Sequence, residues 1–299
     1  VKILDLFCGC GGFSYGFQMV FSDAKFVGID NDVRVKATYE KNIKNSEFLL
    51  EDLSKFSPSD LEGYFDIIIG SPPCVEFSTA NSKRNPSKGM VLVRKFKKWI
   101  DYKMPQFWIM ENVPPLKKFL GDEWYRKEIF NAADFGVPQL RRRLFSGVYP
   151  LPRKTHSYVR KVDPFGNLLK KWVCVEDALK NIEDEKWHVF PKTTEEIKKR
   201  IEKLKPGEAI KGFRNSGVRL FRNRPSITMM ENHGWMAVHP TEDRIITPRE
   251  MARLQSFPDH FEFYGSKTDV IRMIGKAVPP LMAKAFAESI REMIIKCTK

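Results

Sequence analysis

Nowhere in the 299 residues is there an unbroken apolar run of about 18, the length a membrane-spanning helix requires. Lys2, Asp5 and several glycines stand where a secretory signal needs a continuous apolar core. The chain is therefore expected to be soluble and cytoplasmic, with no membrane partner. Cysteine is scarce: Cys8, Cys10, Cys74, Cys174 and Cys297 are odd in number and lack framework spacing, which suits a reducing compartment better than a disulfide scaffold. Cys8 and Cys10 have no second Cys/His pair at ligand spacing, so no metal is expected. Acidic residues are in short supply, 37 against 51 basic ones, leaving a net charge of +14. A polyanionic partner is expected, because lysines and arginines that neutralise phosphates release condensed counterions, and nucleic acid is the favoured one. The alternative is a solvated Lys/Glu-rich surface of the kind found on heat-tolerant proteins.

What is present is ordered. Over the first 110 residues short apolar runs at Lys2–Leu6, Lys25–Ile29, Phe48–Leu50, Phe65–Ile69 and Phe107–Met110 alternate with longer amphipathic ones at Phe13–Phe21, Val33–Ile43 and Val91–Tyr102. This rhythm predicts an α/β fold, a doubly wound and mostly parallel sheet with helices on both faces. Ligands in such a sheet sit outside the carboxyl ends of the strands. From about Leu151 to Arg224 the rhythm stops, and the chain becomes rich in Lys, Trp and Pro, with one helix expected at Thr194–Lys205 before Pro206-Gly207. Pro279-Pro280 introduces a final amphipathic helix running to Lys299. The expected division is a main domain over 1–150, a smaller module over 151–224 and a return segment over 225–299 that completes the main domain.

Three segments carry chemistry. Asp5-Leu6-Phe7-Cys8-Gly9-Cys10-Gly11-Gly12 ends a strand and opens a helix, so its glycines let the backbone turn tightly and approach a ligand. A glycine turn also serves merely to pack helix on strand. Asp30, however, comes after the second strand, 18 residues beyond Gly12, where a carboxylate can accept hydrogen bonds from ribose hydroxyls. The two together favour an adenosine-containing cofactor. Asp52, after the third strand, either meets the adenine amino group or caps the next segment of chain. Next, Ile67-Ile68-Ile69-Gly70-Ser71-Pro72-Pro73-Cys74 is a buried strand running into two prolines that hold a thiol in place. Finally, Phe107-Trp108-Ile109-Met110-Glu111-Asn112-Val113 places Glu111 at the same sheet edge, where a carboxyl can assist a nucleophilic cysteine or simply cap Pro114–Leu120.

These segments, together with Gly136-Val137-Pro138-Gln139-Leu140-Arg141-Arg142-Arg143, Arg249-Glu250-Met251-Ala252-Arg253-Leu254-Gln255 and Gly275-Lys276-Ala277-Val278-Pro279-Pro280 after them, resemble the ordered motifs of the cytosine-C5 DNA methyltransferase family. The resemblance spans both ends of the chain and leaves the middle module unmatched. It implies a Rossmann-like methyltransferase fold with a smaller target-recognition domain over 151–224, and S-adenosylmethionine as cofactor, leaving S-adenosylhomocysteine. Phe7, Gly9, Cys10, Gly12, Asp30, Asn31, Asp52, Leu53, Pro73, Lys276, Ala277 and Val278 would contact that cofactor. Cys74 would add to C6 of a flipped cytosine while Glu111 acts at N3. Arg141 and Arg143, which alternation along an extended segment groups together, would hold the base carbonyl and nearby phosphates, supported by Gln139. Double-stranded DNA of a prokaryotic cell is the implied substrate, with a cognate restriction endonuclease acting separately. The alternatives are a tRNA-modifying relative, whose Cys-Phe-Thr signature is missing from the middle of this chain, and a silent nucleic-acid-binding homologue.

The chain departs from the family in several places. Val75 and Glu76 come after Cys74 where Gln and a small residue are usual, and a carboxylate near the DNA backbone is expected to weaken binding unless a cation neutralises it. Lys276 replaces the usual Asn. Only 22 residues separate Val113 from Gly136, so a layer of the fold is trimmed or residues are absent there. Glu76–Gly89, with Ser78, Asn81, Lys83, Arg84 and Lys88, reads as a loop closing over DNA, or as an ordinary surface loop. Trp172, Trp187, His188, Arg214, Asn215, Arg219 and Arg222 are candidates for base contact in the middle module.

Overall fold

The computed structural model describes residues 1–78, 81–164, 166–182, 186–190, 193–210, 217–231 and 237–297. Arg214 and Asn215 lie outside them. The chain forms two compact units. The first comprises Val1–Asn131, Arg142–Arg153 and Met282–Lys299; the second comprises Ala132–Arg141 and Lys154–Leu281.

In the first unit β1 (Lys2–Leu6), α1 (Gly12–Gln18), β2 (Lys25–Asp30), α2 (Val33–Asn42), β3 (Ser46–Leu50), β4 (Ile67–Gly70), α3 (Pro86–Lys103) and β5 (Phe107–Asn112) succeed one another. They are joined by β6 (Arg126–Asn131) and β7 (Arg142–Val148). The seven strands lie in the order β3-β2-β1-β4-β5-β7-β6; β1 to β5 are parallel, and β7 runs antiparallel to both its neighbours. Successive residues point to opposite faces, and each face has its own cover. Leu4, Leu6, Ile68, Trp108, Met110 and Leu144 share a core with Met90, Val93, Phe96, Trp99 and Ile100 of α3. On β7 the next residue along, Phe145, stacks on Phe286 of the C-terminal helix (Pro280–Cys297) with ring centroids 4.3 Å apart and meets Phe13 of α1 edge-on. Burial on both faces explains why β4 and β5 read as continuous apolar runs: every residue in them is buried. The strand order reverses between β1 and β4, and the glycine turn, Cys74 and Glu111 all lie at the ends of strands along that edge.

The start of α3 differs from the sequence expectation. The polar stretch after Cys74 becomes helical at Pro86, with Asn85 as N-cap accepting the Lys88 N–H and proline in the first turn, so α3 starts five residues before Val91. Between β5 and β6 there are two short 3-10 turns, Pro114–Phe119 and Asp122–Trp124, and these with β6 occupy most of the 22-residue spacing between Val113 and Gly136.

The second unit holds the short parallel pair β8 (His156–Ser157) and β9 (Lys170–Lys171), then α4 (Val175–Ala178), α5 (Glu195–Glu202), α6 (Pro248–Leu254) and α7 (Lys267–Lys276). Thr194 caps α5 through the Ile197 N–H. Capping boxes, Thr247 with Glu250 and Ser266 with Asp269, start α6 and α7. Phe257, Phe261 and Phe263 cluster beneath Arg249, which donates to the Pro258 and Phe261 carbonyls. Among the described residues no helix is long and apolar enough to cross a membrane.

Candidate active site

After β1 the backbone turns left-handed at Phe7 (φ 60°), Gly9 (φ 53°) and Gly11 (φ 89°), the last of which starts α1. A side chain at Gly11 would meet the Tyr39 and Ile43 side chains at 3.0–3.1 Å, so glycine satisfies both the dihedral and the packing. Among the described residues nothing lies within 4 Å of where a Cβ on Gly9 would stand, leaving space beside the backbone there. Asp30 reaches back to this turn, accepting the Gly9 N–H at Oδ2 and the Asp32 N–H at Oδ1, both at 2.9 Å. A carboxylate in this position, facing the turn, is of the kind that accepts hydrogen bonds from hydroxyls. Asn31 and Pro73 are exposed, Phe7 is half-buried, and Leu53 is core. Asp52 does cap a turn: its Oδ1 accepts the Ser54 N–H at 2.8 Å, which holds its pKa below the usual carboxylate range. Burial pushes the Cys10 thiol up to about 12, keeping it protonated. Gly12 is the buried first residue of α1. An open glycine turn opposite an acid suits an adenosine cofactor.

Cys74 is half-buried against the α3 core. Its carbonyl accepts the Phe77 and Ser78 N–H groups at 2.9 and 3.0 Å, closing a turn around the thiol. Glu111, 6% exposed, does not cap the segment after it: its Oε1 pairs with Arg143 Nε at 3.0 Å. Asn112, to which the sequence assigns no role, joins the two segments: its Nδ2 donates to the Pro72 carbonyl at 2.9 Å and its Oδ1 accepts the Val113 N–H. The thiol and the carboxyl are thereby held on neighbouring strand ends. The one signal for Asn112 in sequence is an amide at the end of an otherwise apolar strand.

The remaining residues belong to the second unit. Gln139, wholly buried, donates to the Leu254 carbonyl and Gln255 Oε1 and accepts the Met229 N–H. The Arg141 guanidinium, 2% exposed, donates to the carbonyls of Met229, Gly275 and Ala277. Arg141 and Arg143 are thus engaged differently, one by backbone carbonyls and one by a carboxylate. Lys276 pairs with Glu231 at 3.2 Å; Ala277 is half-buried and Val278 buried. The base-contact candidates are committed within this unit: Trp172 to Asp134, Trp187 to the Phe263 carbonyl, His188 to Thr247, Arg219 to Asp243 and Arg222 to Glu176. Among the described residues no His/Cys/Asp/Glu group could hold a metal ion.

A mostly parallel sheet of this order, with a glycine turn after its first strand, defines a Rossmann-like methyltransferase fold. The structure of a prophage-encoded E. coli protein described as a DNA modification methyltransferase shares it, with a TM-score of 0.75 at 23% identity over 99% of both chains. So does S. pombe Dnmt2 methyltransferase, with a TM-score of 0.66 at 15% identity over 98% of this chain and 99% of that one. The chain belongs to the C-5 cytosine-specific DNA methylase family, whose model matches residues 1–292. Among its relatives, the type II methyltransferase M.NgoFVII of Neisseria gonorrhoeae is 31% identical, covering 97% of this chain and 86% of its own. M1.HphI of Haemophilus parahaemolyticus, also a type II methyltransferase, is 30% identical with the same coverage.

Proposed function

We propose that this chain transfers a methyl group from S-adenosylmethionine to carbon 5 of cytosine in double-stranded DNA through a covalent Cys74 adduct, as the modification enzyme of a prokaryotic restriction-modification system. The observation that carries this reading is the Asn112 hydrogen bond to Pro72, which ties the Glu111 strand to the Cys74 turn. Phe7, Gly9, Asp30, Asn31 and Asp52 would hold the cofactor, with Cys10, Gly12, Leu53 and Pro73 shaping its surroundings. When bound, S-adenosylmethionine supplies an electrophilic methyl on a sulfonium.

Cytosine C5 is a poor nucleophile inside an aromatic ring, and both of its faces are covered in a base stack, so the base must leave the duplex. The Cys74 thiolate adds to C6 while Glu111, having taken up a proton from solvent as the base enters, gives it to N3, and the electron pair released from the C5–C6 bond makes C5 enamine-like. After C5 has gained its methyl group, it loses its proton to water acting as base. The electrons return to C5–C6, Cys74 leaves as thiolate, and N3 gives its proton back to Glu111. Arg143 keeps the buried Glu111 carboxylate paired before the base arrives and positions it for N3. Gln139 and Arg141 brace Met229 and the end of α7 within their own unit. Residues 151–224 would read the target, and a separate nuclease of the same specificity would act on unmodified DNA.

Bisulfite sequencing of DNA from cells expressing the chain is expected to show cytosines protected within one sequence context, and Cys74→Ser is expected to abolish the protection. Modified tRNA with unprotected DNA would reject DNA as the substrate.

A further inference from the structure

From sequence, Glu76 is expected to face the DNA backbone as an unwelcome charge. In the structure it turns to the start of α3: its Oε2 accepts the Asn85 N–H at 2.9 Å and its Oε1 stands 3.9 Å from Lys88 Nζ. Its neighbour Phe77 is 2% exposed, and a Cβ on Gly89 of α3 would lie 2.6 Å from the Phe77 ring and 2.9 Å from Glu76 Cβ. The two residues after Val75 are therefore packed on the first turn of α3, one by its ring and one by its carboxylate. The same two-residue stretch supplies the Phe77 N–H that closes the turn on the Cys74 carbonyl. A carboxylate at a helix start is also favoured by the helix dipole.

We propose that Glu76 is a positioning residue for Cys74, a latch that holds the thiol-bearing turn against the start of α3. This rests on the reading of Cys74 as nucleophile. A latch needs an acceptor at Oε rather than a negative charge, so Glu76→Gln keeps it and Glu76→Ala releases it. A charge aimed at DNA would be removed equally by both.

The test measures alkylation of Cys74 by iodoacetamide across pH, with peptide mass spectrometry on the full chain as the readout, alongside steady-state methylation and DNA affinity. Glu76→Ala is expected to speed Cys74 alkylation several-fold and to lower kcat by roughly tenfold, the scale of a misplaced reacting group, with KM for DNA little changed. Glu76→Gln is expected to restore both. Unaltered alkylation in Glu76→Ala overturns the latch, as does tighter DNA binding by both variants at unchanged kcat. Alkylation reads the position of the thiol whether or not methyl transfer occurs, so failure of the latch and failure of the nucleophile reading separate.

Discussion

At the scale of single residues, Asp5 lies beneath the glycine turn with 1% of its surface exposed. Its carboxylate accepts the Ser14 hydroxyl at 2.6 Å, and Ser14 meets the Tyr39 hydroxyl at 3.1 Å. Burial raises the Asp5 pKa to about 7, Ser14 opposing this and the neighbouring Asp30 adding to it. Below about pH 4 the carboxyl is protonated whether folded or unfolded. Between there and pH 7 the folded state binds the extra proton, so stability falls as pH rises and levels off above 7, by up to about 4 kcal/mol in all. Asp5→Asn keeps an acceptor for Ser14 and removes the charge. Thermal denaturation is expected to show it more stable than the parent at pH 8, with the gain gone by pH 4. In the Glu111–Arg143 pair the buried carboxylate instead has a cationic partner. Arg143→Ala strands that carboxylate and is expected to cost roughly 3 kcal/mol in urea unfolding, most of it recovered when Glu111→Gln is added. Cys74, Glu111 and Asp30 could be placed from sequence because their residue types stand at or just beyond the ends of apolar strands. Asn112, Ser14 and Tyr39 could not, since their work depends on a partner 40, 9 or 25 residues away.

At the scale of elements, close approach sets the tolerance to change. The α7 residue Gly275 lies against the backbone of Met230 and Glu231, where a Cβ would stand 2.6 Å from the Glu231 nitrogen. Backbone cannot swing aside as a side chain can, so Gly275→Ala is expected to lower the melting temperature by a few degrees, an overpacking cost of about 1–3 kcal/mol. The parallel strands and the first two helices were legible within a few residues because burial on both faces leaves unbroken apolar runs. The start of α3 was hidden because its signal, Asn85-Pro86, sits among Ser87 and Lys88 and looks like loop. The antiparallel pair β6 and β7 was hidden for another reason. β6 is an edge strand with little apolar alternation, β7 opens on charged Arg142 and Arg143, and its buried half is explained by Leu144 in the α3 core and by the Phe145 stack on Phe286.

At the scale of the whole molecule, the charge of +14 governs the response to salt. If six phosphates are neutralised, DNA affinity is expected to fall by roughly 10³ between 50 and 200 mM salt, and a flat salt response in an equilibrium titration would exclude phosphate neutralisation as the source of binding. By itself the sequence determined the α/β class, the glycine turn with its acid, and the placement of Cys74 and Glu111 at one edge of the sheet, because these depend on local runs and on residue types at strand ends. Only the tertiary structure decided that Asn112 joins those strand ends, that Arg143 holds Glu111 while Arg141 braces backbone carbonyls, and that Glu76 turns to α3. Each of those outcomes depends on which groups the fold brings together, the first two in a low-dielectric interior where an unmet hydrogen bond or charge is costly, and chain order does not encode that proximity.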